Sequence, residues 1–264
     1  MPSSILWRVA ATCLTLLAIS FCGGCAAGPN KLDPWEKTNR FFYQLDDGLD
    51  RVAIKPLADG YVKVVPLPIR TGLGNGFDNL GYFNTIINDF LQGKWPQGFS
   101  DSGRMLLNSS AGMFGFFDVA TPMGLPSHDN DFGITLGVWG AAQGPYLVLP
   151  LFGPSTVRDA PGIGVGFLTD PTTWLDLPLK ISIPLNLVEA MDARSRAERA
   201  FRFRNAAAID SYAFTRDAYL QYREAQVHPV PATGPSVYDE DNGPATEPAT
   251  QPTPATAPAT SPAH

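Results

Sequence analysis
The stretch FGITLGVWGAAQGPYLVLPLFGPSTV, Phe132 to Val157, runs for 26 residues without one charged side chain. That length would span a bilayer, but it holds five glycines and three prolines. Pro145, Pro150 and Pro154 each remove a backbone donor, which a lipid-exposed spanning helix tolerates badly. Broken, glycine-rich, apolar backbone is tolerated at membrane depth where protein buries it or where it lines a cavity. The other possibility is a glycine-rich soluble core. Within it, Tyr146 to Leu151 reads as a short or edge strand, because of Pro150. The surrounding segment, Met105 to Thr169, contains only five charges: Asp118, Asp129, Asp131, Arg158 and Asp159.

Outward from this belt the sequence reads as mainly α. Asp33 and Glu36, with Pro34 between them, resemble a helix start, and the helix is expected to reach about Asp50. Leu73 to Leu91 reads as a further helix stopped at Gln92-Gly93, and Asp101 can cap another through Met105 and Leu106. Pro184 can open a long helix to Arg204, and Asp210 begins the last, through Arg223. That last helix groups Tyr212, Tyr219 and Tyr222 with Arg216 and Arg223, a pattern expected of a packed face with solvated charges.

The ends differ in character. Arg8 precedes an uncharged run, Val9 to Cys22, too short to span a bilayer and suited to a secretory signal. Gly24-Cys25 then resembles the site at which bacterial lipoproteins are cleaved and acylated, although Cys22 departs from the usual Leu. Ala26 and Ala27, with no Asp after Cys25, favour the outer membrane by the same resemblance. Residues 1–24 are thus expected to be a lipoprotein signal peptide, Cys25 the lipid attachment site and 25–31 an anchor linker. From Pro229 to His264 there are nine prolines, four acidic residues and no Lys or Arg, which predicts a disordered Pro/Ala/Thr-rich tail. One domain of about 200 residues is left between them, over 32–228.

Composition excludes several classes. A net charge of −6 argues against a nucleic-acid partner. All three cysteines fall at or before Cys25, so the rest of the chain has no thiolate metal site or disulfide, and no metal or cofactor is expected. Gly72-Leu73-Gly74-Asn75-Gly76 lacks the spacing of a dinucleotide loop. A hydrolase would need a base, and His128, beside Asp129 and Asp131, is the one histidine well inside the domain; no GxSxG elbow occurs.

Several motifs resemble the MlaA/VacJ family of outer-membrane lipoproteins: DPWEKTNR (Asp33 to Arg40), NDFLQG (Asn88 to Gly93), Arg104 followed by LLN, and GMFGFFDVAT (Gly112 to Thr121). They continue with the whole run Phe132 to Gly162 and with a terminal helix bearing Asp210, Tyr212, Arg216, Tyr219 and Arg223. The resemblance implies a single ring-like helical domain partly embedded in one leaflet, lipid-anchored and facing the periplasm. It also implies association with a trimeric porin, and passage of mislocalised phospholipids through an amphipathic channel to a periplasmic lipid-carrier protein, without hydrolysis. Candidate channel-lining residues are Gly133, Gly137, Gly140, Gly144, Gly162, Gly164 and Gly166, whose small size allows close approach. Asp118, Arg158 and Asp159 are head-group candidates, with a structural ion pair or cap as the alternative role of each. The competing functions are a structural envelope lipoprotein and a phospholipid hydrolase.

Overall fold
A computed structural model describes residues 30–175 and 177–229; the signal peptide, Cys25 and the Pro-rich tail expected from the sequence lie outside the described residues. Helix α1, Glu36–Leu49, starts with Glu36 paired to Arg40 one turn on, at 2.8 Å. Asp33 does not cap it. Its carboxylate is fully buried and taken by tertiary partners, and the residue before the helix, Trp35, makes no side-chain cap. Nor does the helix stop at Asp50. It passes through a π turn, Asp50–Ile54, into α2, Lys55–Val64, with the Lys55 N–H reaching back five residues to the Asp50 carbonyl. Pro56 follows at once and has no N–H to give, so the register changes where one ladder bond is missing.

Helix α3, Leu67–Leu91, begins earlier than its hydrophobic periodicity suggests, because Pro68 sits in the first turn, where a missing donor costs nothing. It ends as read, at Gln92 and Gly93, the latter at φ +72°. Helix α4, Trp95–Ser110, again carries a proline in its first turn, so Asp101 lies inside the helix, not at its cap. After α4 the chain takes three left-handed residues in succession: Met113 (φ 54°), Phe114 (58°) and Gly115 (91°). The Phe116 ring is pressed onto Gly72 of α3, where a Cβ would approach it within 2.3 Å, and this contact clamps the turn. Phe114 is left exposed.

Helix α5, Phe132–Val138, is capped by Asp131, whose carboxylate accepts the Ile134 N–H at 2.9 Å. Strands β1, Tyr146–Leu149, and β2, Gly153–Thr156, form an antiparallel hairpin with Pro150 in the turn, as its position requires. Helices α6, Ala160–Thr169, and α7, Pro171–Trp174, follow. Pro184 lies within α8, Leu179–Arg196, instead of opening it; a break at Ala197 separates α9, Glu198–Ala207. Asp210 caps α10, Ser211–Val227, by accepting the Tyr212 and Ala213 N–H groups. The fold is mainly α. Packing partners close a circuit: α1 lies on β1, β2 on α10, α10 on α5, α5 on α3, α3 on α8, α8 on α2, and α2 returns through the π turn to α1.

The burial pattern is inverted. Among the described residues nine apolar side chains are buried, while thirty-five large apolar ones are exposed. The one hydrophobic cluster among the described residues is small: Tyr146, Val148 and Tyr212, backed by Phe42, Tyr43, Tyr219 and Leu220. Helix α6, apolar but for Thr169, buries none of its residues. A protein folding in water gains stability by removing such surface from it. Here the frame must be held by something else, and its outside suits an apolar medium. No described helix is long and apolar enough to cross a membrane.

Candidate functional site
Among the described residues, buried polar centres take the place of an apolar core. The first joins the chain's start to its end. The Tyr212 hydroxyl donates to Asp33 at 2.5 Å, Asn39 donates to Asp33 at 2.8 Å and to the Tyr146 carbonyl, and Arg216 reaches the same carboxylate at 3.3 Å. Asn39 also accepts the Val148 N–H, tying α1 to the edge of β1. Burial, then the adjacent Asp33 carboxylate, push the Tyr212 hydroxyl far above its ordinary pKa.

The second centre lies where α5, α6 and α10 meet. Arg223 grips Asp131 with both terminal nitrogens, at 2.6 and 2.9 Å, and donates from Nε to Asp159 at 2.9 Å. Asp159 also accepts from Tyr219 at 3.0 Å and from Arg158 at 2.8 Å. Burial alone would raise the Asp159 pKa, but Arg223 and Arg158 outweigh it and hold the carboxylate below the usual range. Arg223, which the sequence suggested was solvated, is almost fully buried, and Arg216 is mostly covered. In the third, Arg104 binds Asp118 at 2.7 Å, the Thr121 hydroxyl and the Leu125 carbonyl, while Asn108 accepts the Val119 and Ala120 N–H groups. Burial opposes ionisation of Asp118; Thr121 and Arg104 reverse this and lower it to about 2.

The fourth centre was not legible in the sequence. His128 turns away from Asp129 and Asp131 and meets Asp101 of α4, Nδ1 lying 2.9 Å from Oδ1. Beside this pair, Asp89 of α3 accepts Asn130 and Gln97 at 2.7 and 2.9 Å through Oδ1. Its Oδ2 is buried without a bonded partner. Burial first, and then the neighbouring Asp101, push Asp89 up to about 6. Asn130, Gln92, Thr135 and Asn88 extend the bonds toward α5. Asp101 and His128 are 27 residues apart, a separation that no local pattern reports. No group of His, Cys, Asp and Glu that could hold a metal occurs among the described residues.

The seven candidate glycines separate into two kinds. A Cβ on Gly133 would fall 2.6 Å from both Arg223 and Asp159, one on Gly137 2.6 Å from Val227, and one on Gly162 3.1 Å from the Gly133 nitrogen. These three let α5, α6 and α10 close around the second centre. Gly144 (φ +70°) has Val157 at 3.3 Å, whereas Gly140 (φ +93°), Gly164 and Gly166 face open space. Of the head-group candidates, Asp118 and Asp159 are committed to ion pairs. Arg158 gives Nε to Asp159 and keeps Nη2 buried without an acceptor. Gly72 to Gly76 lie inside α3.

Chemically, this arrangement offers an apolar exterior for acyl chains and a rigid polar interior. Where lipid surrounds a fold, tails are as apolar as Leu and give no drive to bury it; interior hydrogen bonds and close packing hold helices together instead.

The family described as MlaA lipoprotein matches residues 31–226. The intermembrane phospholipid transport system lipoprotein MlaA of Shigella flexneri is 33% identical over 83% of this chain and 87% of its own length. The protein of the same name from Escherichia coli (strain K12) is 32% identical over the same shares. A structure solved in work on the structural basis for maintenance of bacterial outer membrane lipid asymmetry superimposes with a TM-score of 0.64. It is 30% identical and covers 74% of this chain and 98% of the solved one.

Proposed function
This chain belongs to the MlaA lipoprotein family, and on that premise we propose that it removes mislocalised phospholipids from the outer leaflet of the outer membrane. It passes them inward through an amphipathic opening to a periplasmic lipid-carrier protein, which maintains the lipid asymmetry of that membrane. The observation that carries this is the inverted burial: large apolar side chains outside, ion-paired polar centres inside.

A phospholipid crossing between leaflets must carry its head past hydrocarbon, where unpaired polar groups cost several kcal/mol. An opening within the closed circuit of elements lowers that barrier by offering polar groups to the head while the tails stay in apolar surroundings. The candidates for its wall are Gly140, Gly164 and Gly166, which face open space. In this reading the domain rests in one leaflet, the periplasm-facing one; no described helix is long and apolar enough to cross a membrane. An acylated Cys25 holds it there, and a trimeric porin is its partner in the membrane plane. Direction comes from the carrier downstream, since a passive opening favours neither side.

No bond of the lipid is broken in this process. His128 is oriented by Asp101, and the neighbouring Ser127 hydroxyl is engaged by Tyr82. The transport role is tested by deleting the gene and measuring phospholipid exposed at the cell surface. Exposure should rise and detergent resistance fall, both restored by the intact gene; unchanged surface lipid refutes transport. Complementation by His128→Ala separates conduction from hydrolysis, because a hydrolase would lose its base.

A further inference from the structure
Five arginines, Arg194, Arg196, Arg199, Arg202 and Arg204, fall within eleven residues of a chain whose net charge is −6. They occupy the end of α8 and most of α9. Three of them, together with Arg51 of the π turn and Lys55 of α2, line a cleft of about 470 Å³. Its carboxylates are Asp47, Asp50 and Glu198; Lys55 is taken by Asp59 at 2.8 Å, so four arginines share three anions. Arg194 takes both oxygens of Asp50, at 2.6 and 3.0 Å. Asp47 is divided between Arg51 at 2.7 Å and Arg204 at 2.9 Å. Glu198 accepts Arg194 at 2.8 Å and lies 3.8 Å from Arg202. Positive charge is therefore in surplus by one, and the two most exposed cations of the cleft are Arg51 and Arg202, whose side chains are 70% and 73% exposed. The inner wall is fixed, because the Phe201 ring has the Arg194 guanidinium 3.8 Å from its centroid and that of Arg204 at 4.9 Å.

Helix α8 relates this cleft to the apolar exterior. Leu179, Ile181, Ile183 and Leu187 are exposed on its first half, and Arg194 comes about 10 Å further along the axis. Half the hydrocarbon thickness of a bilayer is about 15 Å. With α8 standing along the membrane normal, and Lys180 its one cation in the apolar half, the arginines at its far end reach the level of lipid phosphates. We propose that the cleft binds the phosphodiester of an anionic phospholipid, with Arg51 and Arg202 closing on it and Arg194 and Arg204 forming the wall. Guanidinium forks match phosphate oxygens in pairs, and the surplus positive charge favours a head group of net negative charge over a zwitterionic one. This rests on the phospholipid-handling role proposed above and adds the charge class of the lipid.

The test uses the mature lipidated protein in a non-ionic detergent, titrated calorimetrically with diheptanoyl-phosphatidylglycerol, diheptanoyl-phosphatidylcholine and inorganic phosphate. The phosphatidylglycerol should bind saturably, more tightly than the other two, and more weakly as salt rises. The double variant Arg51→Gln, Arg202→Gln, altering two exposed groups, should weaken it at least tenfold, whereas Lys63→Gln should not. Equal binding of the two lipids, or an unaltered affinity in the double variant, overturns the proposal. Phosphate binding as tightly as phosphatidylglycerol overturns its lipid source. Failure here leaves the gene-deletion result standing, so the two ideas fall separately.

Discussion
Replacing Asp89 by Asn should stabilise the protein at neutral pH. Asp89 is fully buried, one oxygen satisfied by Asn130 and Gln97 and the other without a partner beside Asp101. Its pKa rises from 3.8 to about 6, through burial and then Asp101. A carboxyl group with a raised folded-state pKa binds its proton more tightly in the folded chain than in the unfolded one. Below about pH 4 both forms are protonated and the group contributes nothing. Between pH 4 and 6 the unfolded chain loses its proton first, so stability falls as pH rises; above 6 the penalty is complete, about 3 kcal/mol at most. Asparagine keeps the accepting oxygen for Asn130 and Gln97 and supplies an N–H for Asp101. Thermal unfolding in detergent from pH 4 to 8, followed by circular dichroism, measures the effect. The variant should melt about 5 to 10 °C higher at pH 7.5, and the two curves should converge near pH 4. A variant less stable at pH 7.5, or displaced equally at every pH, refutes the account of the buried acid pair.

Gly133→Ala should cost about 1–3 kcal/mol, because its methyl would enter the Arg223–Asp159 contact. Gly164→Ala, in open space on α6, should be neutral or stabilising by up to about 1 kcal/mol; melting temperatures of the pair check both. Tyr212→Phe should cost about 1–3 kcal/mol by removing the buried bond to Asp33, seen as a lowered denaturant midpoint. Gly166→Trp should leave abundance intact yet reduce removal of surface phospholipid; full transport activity would take Gly166 off the lipid path. Cys25→Ser should abolish incorporation of labelled acyl chains into the mature protein.

Much of the architecture is legible in the sequence because its signals are local. The Gly93 stop, the Asp210 cap and the Pro150 interruption each act through their own backbone and appear where expected. Helix starts at Leu67, Trp95 and Leu179 are harder to see, because Pro68, Pro96 and Pro178 look like breakers yet occupy first-turn or flanking positions. Asp33 and Asp101 resemble caps by spacing. Their partners, Tyr212 and His128, lie 179 and 27 residues away, and nothing local ranks a distant bond above a near one. Arg223 reads as solvated for the same reason: its compensating acids, Asp131 and Asp159, come from other elements.

The inversion of inside and outside carries over to how this protein tolerates mutation. In a water-soluble enzyme the greasy positions are the ones a random library punishes. Here Phe167, Leu168 and Ile183 face outward and should accept almost any oily replacement. Intolerance would instead gather at Asn39, Asn88, Asp101 and Arg223, a handful of hydrophilic keystones. Designers wishing to make the domain live without detergent would therefore recolour its skin and leave its heart alone.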